Sequence, residues 1–340
     1  PHDDGARHRS SPGLRGVRGD VRLAAVARAD DSLANAHFPD TGDIVLGADE
    51  GPRFAATHGD FLTLRNVLMH EIGHVLGLGH VHSSDARWLM EPTLDLAFDG
   101  PQLDDLRGLH YLYGDALETP GGEAGNDTFA LATPLGGLSP GDELTLGLDA
   151  GEGHAVDRTD VDFVSISNSG DLDFFSFEAS GPALLDVVLE PRGGVFRQAE
   201  IGGMEHFIDA AASNDLSATL FNSEQVAVAI ADRGAIGEVE SLDDVMLPSA
   251  GRYYLRVSGN RDLVQLYSLQ IRLSEVSVVA EPPTVLLAAA LATLLALPIT
   301  RLALPMPATV RGSRHAALVM QIRPYRGASG AGGISPKRRI

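Results

Sequence analysis

His70-Glu71-Ile72-Gly73-His74-Val75-Leu76-Gly77-Leu78-Gly79-His80 gathers three imidazoles and a carboxylate into eleven residues. Before and within this stretch Leu64, Val67, Leu68, Ile72, Val75 and Leu76 recur at three- and four-residue spacing, which predicts a helix starting near Asp60 as its N-cap. Residues four apart on a helix lie one above the other, so His70 and His74 can share a metal ion. Gly77 can take a positive φ, end the helix and swing the chain back so that His80 completes the set. Three neutral imidazoles without a thiolate suit zinc, bound at about 2.0–2.1 Å with one coordination position left for water. Glu71 then falls beside the metal as a general base towards that water, and later as a proton donor to the leaving group. Competing readings are ordinary helix histidines, or a structural zinc with an incidental Glu71; structural sites usually close with four protein ligands. His82 competes with His80 for the third position, and the frame favours His80.

Outward from this helix, strand-like runs occupy Val21–Val26 and Ile44–Leu46, separated by a polar, proline-containing stretch from Asp30 to Gly42. A second helix is predicted over Leu103–Tyr113, with Asp104 and Asp105 in its first turn and Gly114 just past its end. Glu118 to Gly125 reads as a linker. Beyond it come short β-type runs at Phe174–Phe177, Leu184–Leu189, Ala218–Phe221, Val226–Ile230, Tyr253–Val257 and Leu266–Leu273, separated by Gly, Asp, Asn and Ser turns. Many short strands without a long helical pattern predict a β-sandwich. The expected organisation is a loose leader (1–19), a catalytic domain (20–116), a linker (117–125), a sandwich (126–275), a hydrophobic segment (276–301) and a basic, disordered tail (302–340).

The 340 residues are 44% hydrophobic and 21% charged, with Lys+Arg 26 against Asp+Glu 46 and a formal net charge of −20. This is room for one or two buried cores in an acidic chain, which excludes dedicated nucleic-acid binding. Residues 301–340 carry eight Lys or Arg and no acid, leaving 18 basic against 46 acidic side chains, or −28, for residues 1–300. With no cysteine, disulfides, thiolate metal sites and a cysteine nucleophile are excluded. Val285–Leu297 is an uncharged run of thirteen residues, short of the roughly 20 that span a bilayer. The chain begins at Pro1 and shows no signal peptide, so it is expected to be a fragment or a processed form.

The eleven-residue stretch resembles the metzincin zinc-peptidase signature, and residues 20–114 resemble the catalytic domain of matrixins, the matrix metalloproteinase type. Leu89-Met90-Glu91-Pro92 is similar to the family's Met-turn, which implies Met90 as a support beneath the metal site. Leu103–Leu109 with Leu112-Tyr113-Gly114 is similar to its C-terminal helix. Gly42–Asp49 resembles the edge strand on which a substrate peptide pairs antiparallel. Two departures stand out: Val81-His82-Ser83 follows the third histidine, and His37 and His58 lack the spacing of the family's structural-zinc ligands and are read as surface residues. Residues 126–273 resemble the bacterial prepeptidase C-terminal domain on three stretches, Asn126–Ala130, Asp171–Ala179 and Leu247–Val257. Asp171 and Asp173 alternate as calcium ligands can, the other reading being solvated turn residues. Ala280-Glu281-Pro282, the apolar run and Arg301 resemble a Pro-Glu-Pro-type sorting signal, against a plain membrane anchor or a reading-frame artefact in the tail.

The fold class expected is thus an α+β metzincin-like catalytic domain, with a twisted sheet, an active-site helix and a C-terminal helix, followed by an all-β sandwich. The resemblance implies a zinc-dependent metalloendopeptidase with protein or peptide substrates, secreted or held at a bacterial surface by transient anchoring through the C-terminal segment. Its cofactors would be catalytic Zn2+ and structural Ca2+. The alternative is an extracellular binding protein that uses the sandwich, with an inert first domain.

Overall fold

A computed structural model describes residues 21–276, apart from 31, 40–41, 85–86, 119–124, 152–154 and 200–201. The leader and the basic tail lie outside the described residues, as does all but the first residue of the hydrophobic segment; no described helix is long and apolar enough to cross a membrane. The described residues all fall in one compact unit.

A three-stranded sheet opens the fold: β1 (Arg22–Val26), β2 (Ala34–Ala36) and β3 (Asp43–Gly47), in the order β1-β3-β2. β3 pairs parallel with β1 on one side, Ala24 opposite Val45, and antiparallel with β2 on the other, Asn35 opposite Val45. This corrects the expectation that Gly42–Asp49 is the edge strand. β3 is central and buried, as its Ile44 and Val45 require, and β2 is the edge. Three small, weakly β-forming residues, Ala34-Asn35-Ala36, gave no period-two signal, so β2 is absent from the sequence reading.

A short α1 (Gly51–Phe54) leads to α2 (Leu62–Val75), which carries His70, Glu71 and His74. The expected Asp60 cap is not formed: Asp60 and Phe61 both take left-handed φ, 57° and 61°, and the helix starts at Leu62 with no side-chain cap. Asp60 instead faces Arg158 at 3.3 Å and Arg65 at 3.6 Å. α3 (Leu103–Tyr113) has the predicted span and is started by a capping box in which the Gln102 and Asp105 side chains satisfy each other's backbone N–H ends.

The second half packs two antiparallel-rich sheets face to face. One holds β12 (Ala227–Ala231), β11 (Leu216–Phe221), β14 (Gly251–Gly259), β7 (Leu172–Ala179) and β4 (Thr133–Leu138) in that order. The other runs β13 (Glu240–Leu247), β8 (Ala183–Arg192), β15 (Gln265–Ser274) and β5 (Glu143–Leu146), with β6 (Val164–Ile166) also on β15. β8 alternates buried and half-buried residues throughout, the period-two signature of a strand with one face in a core. Phe175, Phe177, Leu185, Leu189, Leu220, Leu255, Tyr267 and Leu269 fill the space between the sheets. A separate hairpin, β9 (Val195–Gln198) with β10 (His206–Asp209), projects from this sandwich.

The two halves are joined along α3. His110 Nδ1 and Ser165 Oγ lie 2.8 Å apart, Asp115 accepts from the Ser165 N–H at 2.9 Å, and Arg107 donates to Ser213 Oγ at 3.1 Å. Leu117 packs against the sandwich core, so the expected linker is anchored at its first residues.

Candidate metal centre

α2 ends where sequence chemistry ends it. Leu76 is the C-cap, Gly77 has φ 106°, the Gly77 N–H bonds to His74 O at 3.0 Å and the Leu78 N–H to Gly73 O at 2.8 Å, which reverses the chain towards His80. The Nε2 atoms of His70, His74 and His80 then form a triangle with edges of 3.1, 3.1 and 3.3 Å. Zinc–nitrogen bonds of about 2.0–2.1 Å in tetrahedral geometry need donor separations of about 3.3 Å, so the donor set fits that ion in both chemistry and spacing. Among the described residues this is the one group of three or more His, Cys, Asp or Glu side chains close enough to hold a metal. The opposite ring nitrogens are committed to carbonyls: His70 Nδ1 donates to Leu89 O at 2.6 Å and His74 Nδ1 to Leu78 O at 2.8 Å. Those bonds fix the tautomer that leaves each Nε2 lone pair free. Burial pushes His70 down to about 4, helped by the neighbouring imidazoles, and burial also lowers His80.

Glu71 lies on the same helix, 6% exposed, and its Oε2 has no hydrogen-bond partner. Burial raises it to about 7, opposed by the charge of Arg28 beyond the end of β1. Both Glu71 and the histidines open onto a cleft of about 670 Å³. One wall is the β2 edge with Phe38; the other runs from Leu89 to Phe98. Met90 is 2% exposed, and its sulfur sits 2.6 Å from where a Cβ on Gly73 would project. His82 is not among the clustered ligand atoms, and its backbone pairs with Ala199. His58 is exposed, but His37, read from sequence as a surface residue, has its Nε2 buried.

Several residues that shape the cleft carried no sequence signal. Asn66 donates to Asp95 O at 3.2 Å and Phe98 O at 2.9 Å and accepts from the Gly100 N–H at 3.1 Å, which folds the wall onto α2. Gln102 accepts from the Leu89 N–H and donates to Arg87 O, both at 2.8 Å. Glu91 accepts from the Ser83 N–H at 2.5 Å. An amide side chain is legible as a loop clamp only once the loop is beside it.

A second polar cluster lies at the joint between α3 and the sandwich. Asp171 and Asp173, flanking Leu172, are 5% and 0% exposed and are joined by Asp115, Glu118 and Asn126. They are therefore not solvated turn residues. Asp173 accepts from the Tyr267 hydroxyl at 2.6 Å, and Asp171 from the Ser167 N–H at 2.6 Å. The Oδ1 atoms of Asp171, Asp173 and Asn126 are buried without a hydrogen-bond donor. Burial, then the neighbouring carboxylates, raise Asp173 well above the carboxylate range; burial raises Asp115 to about 6 and Glu118 to about 8.

Comparison with known proteins agrees with the first half of this description. Residues 21–114 match the Matrixin family. Over 91 residues the chain is 40% identical to Metalloendoproteinase 2-MMP of Arabidopsis thaliana, covering 24% of each protein. Over 100 residues it is 42% identical to Matrix metalloproteinase-15 of Homo sapiens, covering 27% of this chain and 14% of that one. Stromelysin-3 of Rattus norvegicus is 38% identical over 112 residues, 29% of this chain and 22% of that one. The chain thus spans about a quarter or less of the length of these relatives. A pre-peptidase C-terminal domain of a Bacillus anthracis collagenase aligns with 42% of the chain and 96% of its own length, at 11% identity and a TM-score of 0.23. The family likeness accordingly rests on residues 21–114, the segment that carries the three histidines, Glu71 and Met90.

Proposed function

We propose that this chain is a zinc-dependent metalloendopeptidase that works outside the cell or at a bacterial cell surface. The observation that carries the reading is the triangle of three Nε2 atoms beside a buried, unpartnered Glu71 carboxylate at a cleft with an open strand edge. His70, His74 and His80 would hold the ion, and Gly77 and Met90 support their geometry. Zinc bound there would polarise the scissile carbonyl and acidify a coordinated water. Glu71 takes the proton from the attacking water and passes it to the leaving amine. An extended peptide can add to the β2 edge, where backbone pairing supplies affinity and the Leu89–Phe98 wall selects side chains. We further propose that Asp171 and Asp173, with the Asn126 amide oxygen, hold a structural calcium ion, supported by the orphaned buried Oδ1 atoms of these three residues.

Zinc-loaded protein should cleave casein or a peptide library, and Glu71→Gln should lower kcat by about two to four orders of magnitude at unchanged zinc stoichiometry. Zinc binding without cleavage, indifferent to Glu71→Gln, would establish the alternative of a binding protein with an inert first domain.

A further inference from the structure

The loop that follows the third histidine is held from the sandwich. Val81 donates to Met90 O at 3.1 Å on one side. On the other, His82 and Ala199 form an antiparallel bridge, His82 N to Ala199 O at 3.0 Å and Ala199 N to His82 O at 2.8 Å. Two residues on, the Ser84 N–H and hydroxyl donate to Glu205 at 2.7 and 3.2 Å. Trp88 then packs its ring 5.0 Å from that of Phe196, in a small core completed by Ala210, Val81 and Ile208. Ala199 and Glu205 lie between the hairpin strands β9 and β10, and Phe196 and Ile208 face each other across them. The hairpin therefore grips both ends of the segment between His80 and Leu89. Leu89 O is the acceptor that orients His70, so this carbonyl lies one residue from Trp88, and His80 lies two residues from the His82 bridge.

We propose that the β9–β10 hairpin is a positioning element of the metal site, with Phe196 and Glu205 acting through Trp88, Ser84 and His82 on the loop that carries His80. The sandwich is then part of the catalytic apparatus rather than an appended module. The physical reason is conformational entropy: a surface segment of this length otherwise samples many states, and a ligand on it binds only in the fraction that faces His70 and His74. This inference rests on the zinc reading above.

The test uses the full chain and measures zinc affinity by competition with a chromogenic chelator. Phe196→Ala should weaken zinc binding about tenfold, the lower end of the range for groups that orient metal ligands, and Glu205→Ala, which removes the acceptor for Ser84, a few-fold. Phe207→Ala, on the exposed outer face of the same hairpin, should change nothing. Leu220→Ala, in the sandwich core away from the hairpin, controls for general loss of stability. Equal weakening by Leu220→Ala and Phe196→Ala overturns the positioning role. If Phe196→Ala fails to fold, Glu205→Ala decides alone, and unchanged affinity in it overturns the inference. Wild-type protein that takes up no zinc sinks the zinc reading itself; wild-type binding with both hairpin variants unaffected sinks only the hairpin.

Discussion

The buried carboxylates at the joint between α3 and the sandwich set a stability profile that calcium should reverse. Asp105 is pushed to about 7, Asp115 to about 6 and Glu118 to about 8, and Asp173 is raised well above the ordinary aspartate value, in every case chiefly by burial. A raised acid pKa means that the folded state keeps a proton the unfolded chain has released, so stability falls as pH rises from about 4 towards 8. His110 acts in the opposite sense. Burial lowers it to about 4, so its contribution of about 3 kcal/mol is complete above pH 6.5 and is lost as pH falls to 4. The two effects offset each other below pH 6.5, and only the carboxylate loss operates above it. Each retained proton contributes about 1.4 kcal/mol per pH unit. Asp105 retains about half a proton at pH 7, Glu118, half open to solvent, counts for less than its full proton because water screens it, and Asp173 acts in the same direction. The slope near pH 7 from Asp105 and Glu118 is then about 1–2 kcal/mol per unit in calcium-free protein. Calcium at a hundred times its Kd would add about 2.7 kcal/mol and flatten this limb, because the cation favours the ionised carboxylates. The assay is urea unfolding followed by circular dichroism at pH 6.5, 7 and 8, on protein restored with one equivalent of zinc, with and without calcium. Asp173→Asn keeps the acceptor for Tyr267 and should abolish the calcium response. A calcium-free stability that stays level from pH 6.5 to 8 refutes the burial argument, and a midpoint at pH 8 indifferent to calcium refutes the cation site.

Two further expectations concern the histidine cluster. His70→Ala, His74→Ala and His80→Ala should each cut zinc content sharply as measured by atomic absorption, while His82→Ala should not; metal loss confined to the His82 variant would reassign the third ligand. Gly73→Ala places a methyl group 2.6 Å from the buried Met90 sulfur. Overpacking of about 1–3 kcal/mol should exceed the helix-propensity gain of about 1 kcal/mol and lower Tm, and Met90→Ala in the same chain should recover part of the loss. Additive effects of the two changes would show that the contact is not felt.

The clustering of the three histidines was legible in the chain because its geometry is local. A four-residue spacing on a helix and a glycine at a left-handed C-terminus suffice to aim three imidazoles at one point, and the apolar periodicity of Leu103–Tyr113 is equally self-contained. The longer, more apolar sandwich strands were legible for the same reason, since each buries one face in alternation.

What the tertiary structure alone decided was everything that depends on a partner distant in the chain. Whether Ile44–Leu46 is an edge or a centre depends on who pairs with it, and Ala34–Ala36 claims the edge with almost no signal of its own. Asp171 and Asp173 read as solvated or as ligands until Asp115, Glu118 and Tyr267 close over them. The clamps of Asn66 and Gln102, and the grip of the β9–β10 hairpin on the loop after His80, link residues from 13 to 121 positions apart. Hydrogen bonds and burial of that kind carry no periodicity, and they exist only once the chain has brought the two ends together.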